Sequence, residues 1–444
     1  MNRSICRFIL LFIVIYFTAP AFALRLAGNP AELTTDPRAY PHTIADEFDF
    51  SGRLVVWIDS RDDVNYVPRV YAARLNDNSH TEYLIDVNAF NASAVRTDGV
   101  YIAYFVWNES MLALRIADIT DINNPVIKEI EIAASYVDSF EVDNGVVVFK
   151  ENGDGYSIPS VISAVSLSDP FLTKHTVKEF PFNDYSYTNI SLDSNRVIWS
   201  GEYYDDVNYL YSNYIDVADI TDIANPVVAR NSLPQTQTGG YIVWINALAV
   251  SDDWLIARGS YNDTDCVFGV HNYYDPQNWS FTMIRQMDSY KEFILRVDAP
   301  YAVWVENDMQ HPEFTGRQMQ TQSQSVSSEQ GIIVGAVLFD NGKTVTSIIK
   351  TSDQNWTLMG AAVSGGKVVW GADYFYADPE TESAEEYRDL FTDTLELECG
   401  DRGYSLADLN RDCKVDFADF AIMSERWLVC TLPNDEICID GEVY

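Results

Sequence analysis

Short runs of apolar and aromatic residues, each introduced by a turn residue, recur along the chain between residues 50 and 398. Most of their residues are β-branched or aromatic, and several runs end in Trp. Because continuous apolar runs of this length are typical of buried strands, they indicate a β protein. The final residues of successive runs lie 47, 45, 50, 58, 47 and 66 residues apart. The seven runs are Gly52–Trp57, Gly99–Tyr104, Gly145–Phe149, Asn195–Trp199, Asp253–Ala257, Ala299–Trp304 and Gly366–Trp370.

Two longer identities confirm that the chain repeats itself. The sequence Asp62–Tyr66 recurs at Asp205–Tyr209, 143 residues later. Ala117–Val126 recurs almost unchanged at Ala218–Val227, 101 residues later. These spacings correspond to about three and about two units of the apolar period, so the chain is a repeat protein.

Each unit has room for about four strands, and helical periodicity is missing from the repeats. Units of this length with this content are typical of a β-propeller. Seven runs predict seven blades over residues 30–398, with each apolar strand buried on both faces near the channel. We expect the segment from Tyr40 to Phe50 to complete the last blade and cover its free edge. A pair of β-sandwiches is the alternative, since its turns recur similarly.

The repeated pattern of a turn, a Val-Val-Trp strand, an Asp-rich turn and Asp-Ile-x-x-x-Asn-Pro-Val resembles a group of exported propellers. These are the Tol-associated periplasmic propellers and the bacterial surface repeats. The resemblance covers about residues 40–398 and implies the propeller fold. It does not imply a particular function, because one fold serves many functions.

The N-terminus has the three parts of a secretory signal. Arg3 and Arg7 provide positive charge, Phe8–Phe17 is apolar, and Ala21 and Ala23 stand at the positions that a signal peptidase reads. We predict a signal peptide over residues 1–23 and a secreted protein, either extracellular or at the cell surface. A retained anchor is the alternative, but the apolar run is shorter than the roughly 20 residues that a spanning helix needs. No later stretch is long and apolar enough to span a bilayer.

The formal net charge is −37 for 444 residues. So acidic a surface repels phosphate backbones, which excludes nucleic acid as a partner. The acidic residues are dispersed and aromatic residues make up 13% of the chain, a composition that disordered chains rarely have. The charge therefore favours a soluble, folded protein that binds divalent cations outside the cell.

The cysteines are concentrated at the C-terminus. Cys399, Cys413, Cys430 and Cys438 lie in the last 46 residues, whereas Cys266 stands alone and is expected to be buried. In an exported protein this clustering predicts disulfides that stabilise a small module. Four cysteines allow three pairings, of which we favour Cys399–Cys413 with Cys430–Cys438.

The same tail contains an acidic loop with the spacing of a calcium site. Oxygen-bearing side chains occupy its positions 1, 3, 5, 9 and 12, and position 7 offers a backbone carbonyl, as in EF-hand loops. Cys413 replaces the usual Gly at position 6, and position 12 is Asp rather than Glu. The alternative is an Asn/Asp-rich turn that binds nothing. The predicted Ca²⁺ ligands are Asp408, Asn410, Asp412, Lys414, Asp416 and Asp419.

Apolar and small residues after this loop recur at helical spacing from Phe417 to Leu428. Loop and helix together resemble one repeat of a type I dockerin over residues 399–438, and the predicted module extends over residues 399–444. The resemblance implies an EF-hand-like α module and a cohesin-like partner. Dockerins carry two such repeats and this tail carries one, and the apolar helix face could instead dock on the propeller.

Two functions follow from these features. The favoured one is a secreted, non-catalytic binding or scaffold protein, in which the propeller recognises a ligand and the tail tethers it to a cohesin-like partner. The alternative is an exported carbohydrate-active enzyme, a glycoside hydrolase or polysaccharide lyase acting on a polysaccharide. The five histidines show no metal spacing, and neither a nucleophile elbow nor a phosphate-binding loop is found. No catalytic residue is assigned for this reason.

Overall fold

The structure is a computed structural model, and it describes the seven repeats with gaps at loops. The described residues are 22–27, 31–34, 48–59, 67–75, 81–89, 91–108, 111–132, 137–153, 159–180, 184–186, 190–205, 210–232, 242–261, 264–275, 278–287, 291–308, 332–338, 344–352, 356–377 and 384–399.

Every regular element in this part of the chain is a strand. The strands are β1 (Phe22–Leu26), β2 (Ala31–Glu32), β3 (Phe48–Ser51), β4 (Leu54–Asp59), β5 (Arg69–Arg74), β6 (Glu82–Leu84), β7 (Ala92–Thr97), β8 (Tyr101–Asn108), β9 (Met111–Asp118), β10 (Val126–Glu131), β11 (Val137–Asp143), β12 (Val146–Glu151), β13 (Ser160–Ser166), β14 (His175–Phe180), β15 (Asp184–Ser186), β16 (Ser191–Asp193), β17 (Arg196–Asp205), β18 (Leu210–Asp219), β19 (Val227–Ser232), β20 (Ile242–Ser251), β21 (Trp254–Tyr261), β22 (Thr264–His271), β23 (Ser280–Gln286), β24 (Lys291–Asp298), β25 (Tyr301–Asp308), β26 (Ile332–Leu338), β27 (Thr344–Thr351), β28 (Trp356–Ser364), β29 (Lys367–Ala377) and β30 (Ala384–Cys399).

These strands form seven antiparallel sheets, six of them built from consecutive strands and the seventh combining the last strands with the first. The predicted seven-bladed β-propeller is therefore confirmed, and the alternative of two sandwiches is wrong. Blades 1 to 6 consist of β3–β6, β7–β10, β11–β14, β15–β19, β20–β23 and β24–β27. In blade 4 the first strand is divided into β15 and β16, which both pair with β17. Blade 7 has the order β28-β29-β30-β1, and β2 also pairs with β30.

The apolar strands are the second strands of their blades, not the ones nearest the channel as predicted. Val55 and Val56 lie in β4, and the corresponding strand of blade 7 is β29. A second strand has a neighbour on each side within its sheet and a blade on each face, so it is fully enclosed. The first strand has one edge on the solvent-filled channel, which favours polar residues there.

The core lies between adjacent blades. One cluster joins Val56 and Val70 of blade 1 to Ile102 and Tyr104 of blade 2, and equivalent clusters join the pairs that follow. Blade 7 closes the circle by packing Val369 against blade 1. Fully buried tryptophans at the ends of the apolar runs, among them Trp199, Trp304 and Trp370, fill these interfaces. Cys266 is buried here, as expected.

The last blade is completed by the first described residues; of the segment predicted to complete it, Tyr40 to Phe50, the structure describes Phe48–Phe50. Ala31 pairs with Thr392, and the amide of Leu33 donates to the carbonyl of Leu390 at 2.7 Å. Phe48–Ser51 instead forms the first strand of blade 1. The two-residue turn that follows pairs this strand with β4, so it packs against blade 7 without joining the sheet of that blade.

The chain divides into two compact units. Leu26–Leu395 contains the propeller, and the second unit combines Met1–Arg25 with Glu396–Tyr444. In the second unit the structure describes residues 22–25 and 396–399, where Arg25 and Glu396 form an ion pair of 3.3 Å. Residues 400–444, with the predicted helix, lie outside the described residues. Nowhere in the described ranges is there a helix of the length and apolarity that crossing a membrane requires.

Candidate functional site

One end of the channel is surrounded by the hairpins that join the first and second strand of each blade; we call this end the mouth. The register of the hairpins places seven equivalent residues in a ring around it, one at the end of each first strand. This mouth ring contains four aspartates and three serines, with no cation among them. Its members are Ser51, Asp98, Asp143, Asp193, Ser251, Asp298 and Ser364.

The mouth ring links neighbouring blades. The side chain of a ring residue accepts a hydrogen bond from a backbone amide in the turn of the following blade, which satisfies an amide that the hairpin leaves unpaired. In the described part of the chain, this bond occurs at five blade interfaces. The donors and acceptors are Gly145 to Asp98, Ser194 to Asp143, Ala299 to Ser251, Gly365 to Asp298 and Gly52 to Ser364.

Two residues deeper lies a second ring, the middle ring, whose charges are balanced. The Arg96 Nε lies 3.3 Å from the Glu141 carboxylate, and the Arg296 Nε lies 3.7 Å from Asp49. Since Arg296 belongs to blade 6 and Asp49 to blade 1, this network extends around the channel wall. Its members are Asp49, Arg96, Glu141, Ser191, Ala249, Arg296 and Ala362.

The loops between the third and fourth strands lie on the mouth side as well. In blades 1 to 5 the residue after the third strand, and in blades 6 and 7 a residue within it, donates its amide to the hairpin between the first two strands. These bonds are Leu75 to Arg53, Ile119 to Val100, Leu167 to Gly145, Ile220 to Asn195, Asn272 to Asp253, Leu338 to Pro300 and Leu395 to Gly366.

A cavity of about 680 Å³ opens at the mouth over blades 4, 5 and 6. It adjoins a second cavity of about 500 Å³ inside the channel, and Asp193, Ser194 and Asp252 line both. Around Asp193 the hydrogen-bond pattern of the mouth differs. Within the described residues, Asp193 accepts from its neighbour Ser194 Oγ at 3.4 Å, and not from the turn of blade 5.

The residue that begins the second strand differs between this interface and two of the others. In blade 2 that residue is Tyr101, whose ring packs so close to the next turn that a Cβ atom on Gly145 would lie 3.7 Å away. Tyr301 of blade 6 packs against Gly366 in the same way. Blade 4 has Arg196 instead, and its guanidinium lies 4.2 Å from the centre of the Tyr274 ring.

The cavity has an acidic lining with an aromatic patch. Four aspartates line it, accompanied by a single arginine, Arg196. Trp254 and His271 also line it, with ring centres 5.0 Å apart. The acidic residues are Asp193, Asp219, Asp252 and Asp253.

The carboxylates at the mouth repel one another. Burial raises the pKa of Asp193, and the charges of Asp143 and Asp252 raise it further. Burial also raises the pKa of Asp143, with contributions from Asp98 and Asp298. In the middle ring, burial raises the pKa of Glu141, although Arg96 and Arg296 oppose the shift. A cation bound at the mouth would therefore relieve unfavourable charge.

The predicted calcium and disulfide residues lie elsewhere. Cys399 ends β30, and its side chain is outside the described residues. The others also lie outside them: Asp408, Asn410, Cys413, Asp412, Lys414, Asp416, Asp419, Cys430 and Cys438. Within the described ranges, no group of three or more His, Cys, Asp or Glu side chains is arranged to hold a metal ion.

The mouth was missed by sequence reasoning, although a signal for it exists. In each repeat, an Asp or Ser residue stands immediately before the two-residue turn that leads into the apolar strand. That regularity was hidden because Asp and Ser are also common turn residues. Only the register shows that these seven positions converge on one opening.

The chain matches no protein-family model, and no curated protein matches it. The β-propeller domain of the Trilobed protease from Pyrococcus furiosus is similar at 13% identity and a TM-score of 0.47, over 81% of this chain and 99% of that one. The Pyrococcus horikoshii acylaminoacyl peptidase is similar at 11% identity and a TM-score of 0.47, over 79% of this chain and 51% of that one. A prolyl endopeptidase has the same identity and TM-score, over 86% and 50%.

The chain thus spans about half the length of the two full peptidases. These matches contradict the predicted non-catalytic scaffold with a tethering tail, because the propellers that they contain belong to peptidases. They also give no support to a polysaccharide-acting enzyme. At such identities the likeness concerns the fold, so the site is argued from its own residues.

Proposed function

We propose that the propeller receives an extended, positively charged peptide at its mouth, as the binding domain of a peptidase-related protein. The observation that carries the proposal is the junction of two cavities at Asp193, where carboxylates outnumber cations. A ligand with lysine or arginine side chains neutralises this charge, whereas an acidic ligand adds to it.

The dimensions of the cavities suit such a ligand. A volume of about 680 Å³ lies within the range of about 300 to 1,000 Å³ that is common for ligand pockets. The adjoining cavity of about 500 Å³ inside the channel lets an extended chain continue beyond the mouth. In the middle ring, two acidic and two basic side chains balance, so the deeper wall has little preference for the charge of a ligand. Selection by ligand charge therefore takes place at the mouth.

The peptidase part of the proposal takes its reaction class from the similar propellers. Because that likeness is one of fold, only the cavity supports peptide binding, and hydrolysis of the peptide needs its own measurement. Incubation of the full chain with its peptide, followed by mass spectrometry, measures hydrolysis directly.

Binding is tested with two fluorescein-labelled octapeptides, one alternating Gly and Lys and the other alternating Gly and Glu. We expect fluorescence anisotropy to show binding of the lysine peptide only, and weaker binding at high salt. Asp193→Asn should weaken it about three- to tenfold, the effect of one partly buried charge pair. Glu179→Gln removes the same charge from the exposed outer strand of blade 3 and should change nothing. Equal binding of both peptides, or equal effects of both variants, contradicts the proposal.

The C-terminal segment carries a separate proposal, namely Ca²⁺ binding by the loop from Asp408 to Asp419. Its support is the spacing of oxygen-bearing residues at positions 1, 3, 5, 9 and 12. Calorimetry on the full chain, stripped of calcium, should show heat that Asp408→Ala abolishes and Asp401→Ala retains. Export through the signal segment 1–23 stays a prediction, which N-terminal sequencing of the secreted protein tests.

A further inference from the structure

The outer end of the cavity lies against the loop between β18 and β19. Asp219 and Thr221 of that loop line it. Val227, which begins β19, is the register partner of Asp219, and its side chain is 69% exposed. An apolar side chain therefore stands beside the acidic lining, with most of its surface in solvent.

An aromatic ring borders the cavity from blade 5. Tyr274 is 39% exposed, and the guanidinium of Arg196, a lining residue, lies over its ring. The outer end thus combines carboxylates with apolar surface on two adjacent blades. A purely charged ligand would leave that apolar surface in water.

The loop that carries Val227 is held by its own side chains. Thr221 donates its amide to Asp219 at 2.8 Å, and Asn225 donates its side-chain amide to Asp222 at 2.9 Å. Ile220 is buried and anchors the loop from below. Because the loop is already ordered, contact with Val227 requires little loss of loop entropy.

We infer that the outer end is a subsite for a bulky apolar side chain next to the cationic residue of the bound peptide. The inference rests on the proposed peptide binding and narrows the ligand class to basic chains with adjacent apolar residues. The cation lies among the carboxylates near Asp193, and the apolar side chain covers Val227 and the Tyr274 ring.

The repeat provides an internal control for this subsite. Val126 of blade 2 occupies the same position in the same motif, opposite Asp118 in register, and is 58% exposed. Its loop is held by the same bonds, from Thr120 to Asp118 and from Asn124 to Asp121. Val126 belongs to blade 2, whereas the cavity is lined by blades 4, 5 and 6. Replacing Val126 or Val227 by Ser therefore removes a similar exposed apolar side chain from two equivalent loops, of which only the loop of Val227 borders the cavity, through Asp219 and Thr221.

The test compares two octapeptides of alternating Gly and Lys in which one central Gly is replaced by Leu or by Ser. We expect the full-length protein to bind the Leu peptide about three- to tenfold more tightly, the gain from partial burial of one Leu side chain. Val227→Ser should reduce this ratio to about one, while Val126→Ser leaves it unchanged. Tyr274→Ala is a second variant that should also lower it, and thermal unfolding checks that all variants are folded.

The outcomes separate the two proposals. If neither peptide binds the unmodified protein, the proposed function is wrong and the subsite falls with it. If both bind equally, or if Val126→Ser lowers the ratio as much as Val227→Ser, peptide binding stands and the subsite is overturned.

Discussion

Blades 2 and 4 carry almost the same loop, yet the interfaces beside them differ. Ala117–Val126 and Ala218–Val227 fold with the same anchoring isoleucine and the same aspartate bonds. After blade 2, Tyr101 packs against the next turn and Asp98 bonds to it. After blade 4, Arg196 turns to Tyr274 and a cavity opens. These two blades therefore share the framework of the loop, while the side chain at the start of the second strand differs where the cavity opens.

The largest effect tests whether the framework is the same in both blades. Ile119 has none of its surface exposed and Ile220 has 3%. Ile119→Ala and Ile220→Ala should each lower the free energy of unfolding by about 2–5 kcal/mol, because each leaves a cavity in a packed interface. Denaturant unfolding measures both. A loss below about 1 kcal/mol for Ile220→Ala alone would show that the two loops are not anchored to the same extent.

An intermediate effect tests the two side chains that distinguish the interfaces. Tyr101→Ala should lower the free energy of unfolding by about 1–3 kcal/mol, since the ring packs between blades. Arg196→Ala should lower it by less than about 1 kcal/mol, the usual value of an exposed cation–π contact. It should also strengthen binding of the lysine peptide, because it removes a like charge from the cavity. Equal destabilisation by both variants would remove the distinction between filled and open interfaces.

The smallest effect is a pH dependence of binding. The pKa of Asp193 lies above its ordinary value of 3.8, owing first to burial. Protonation removes the charge that attracts lysine, so binding should weaken at a higher pH than an ordinary carboxyl would give. A raised pKa means that the folded state binds the proton more tightly than the unfolded state, so this protonation does not destabilise the fold.

Blade 2 supplies the contrast for this titration. The pKa of Asp121 in its loop is lowered by hydrogen bonds from Asn124 and Asn123, so that loop keeps its charge to lower pH. Anisotropy of the lysine peptide between pH 7 and pH 4 measures the effect, and Asp193→Asn should flatten the profile. An unchanged profile in that variant would assign the titration to another group.

Much of the fold could be predicted because the second strands are enclosed on all sides. Enclosure selects apolar residues in an unbroken run, as in Gly52–Trp57, and such a run is visible without knowledge of the neighbours. The predicted position of the apolar strand within its blade was wrong because the first strands are harder to recognise. The sequence of a first strand such as Phe48–Ser51 is mixed, because one of its edges faces the channel, and it gives a weaker signal.

The mouth could not be predicted because it is assembled from residues about 50 positions apart. Asp193 and Asp252 are unremarkable turn residues until the register of two hairpins brings them to one opening. The openness of the cavity depends on the direction that Arg196 takes, and a sequence does not state side-chain directions. The tail, whose ligands lie within twelve residues, is the opposite case: its spacing alone supports a specific prediction.

The pairing of residues 31–34 with residues 389–392 has a consequence for how the protein forms. Thr34 Oγ1 donates to Asp389 at 3.0 Å across 355 residues, so blade 7 cannot be finished until residue 389 has been synthesised. Each of blades 1 to 6 consists of strands that are close in sequence, so these blades can form as they leave the ribosome. During that time residues 31–34 have no partner, because residues 389–392 have not yet been made. For a flexible chain, bringing together ends this distant opposes closure by about 5 kcal/mol. Until blade 7 is complete, this unpaired strand edge exposes a nascent chain to misassembly with another copy.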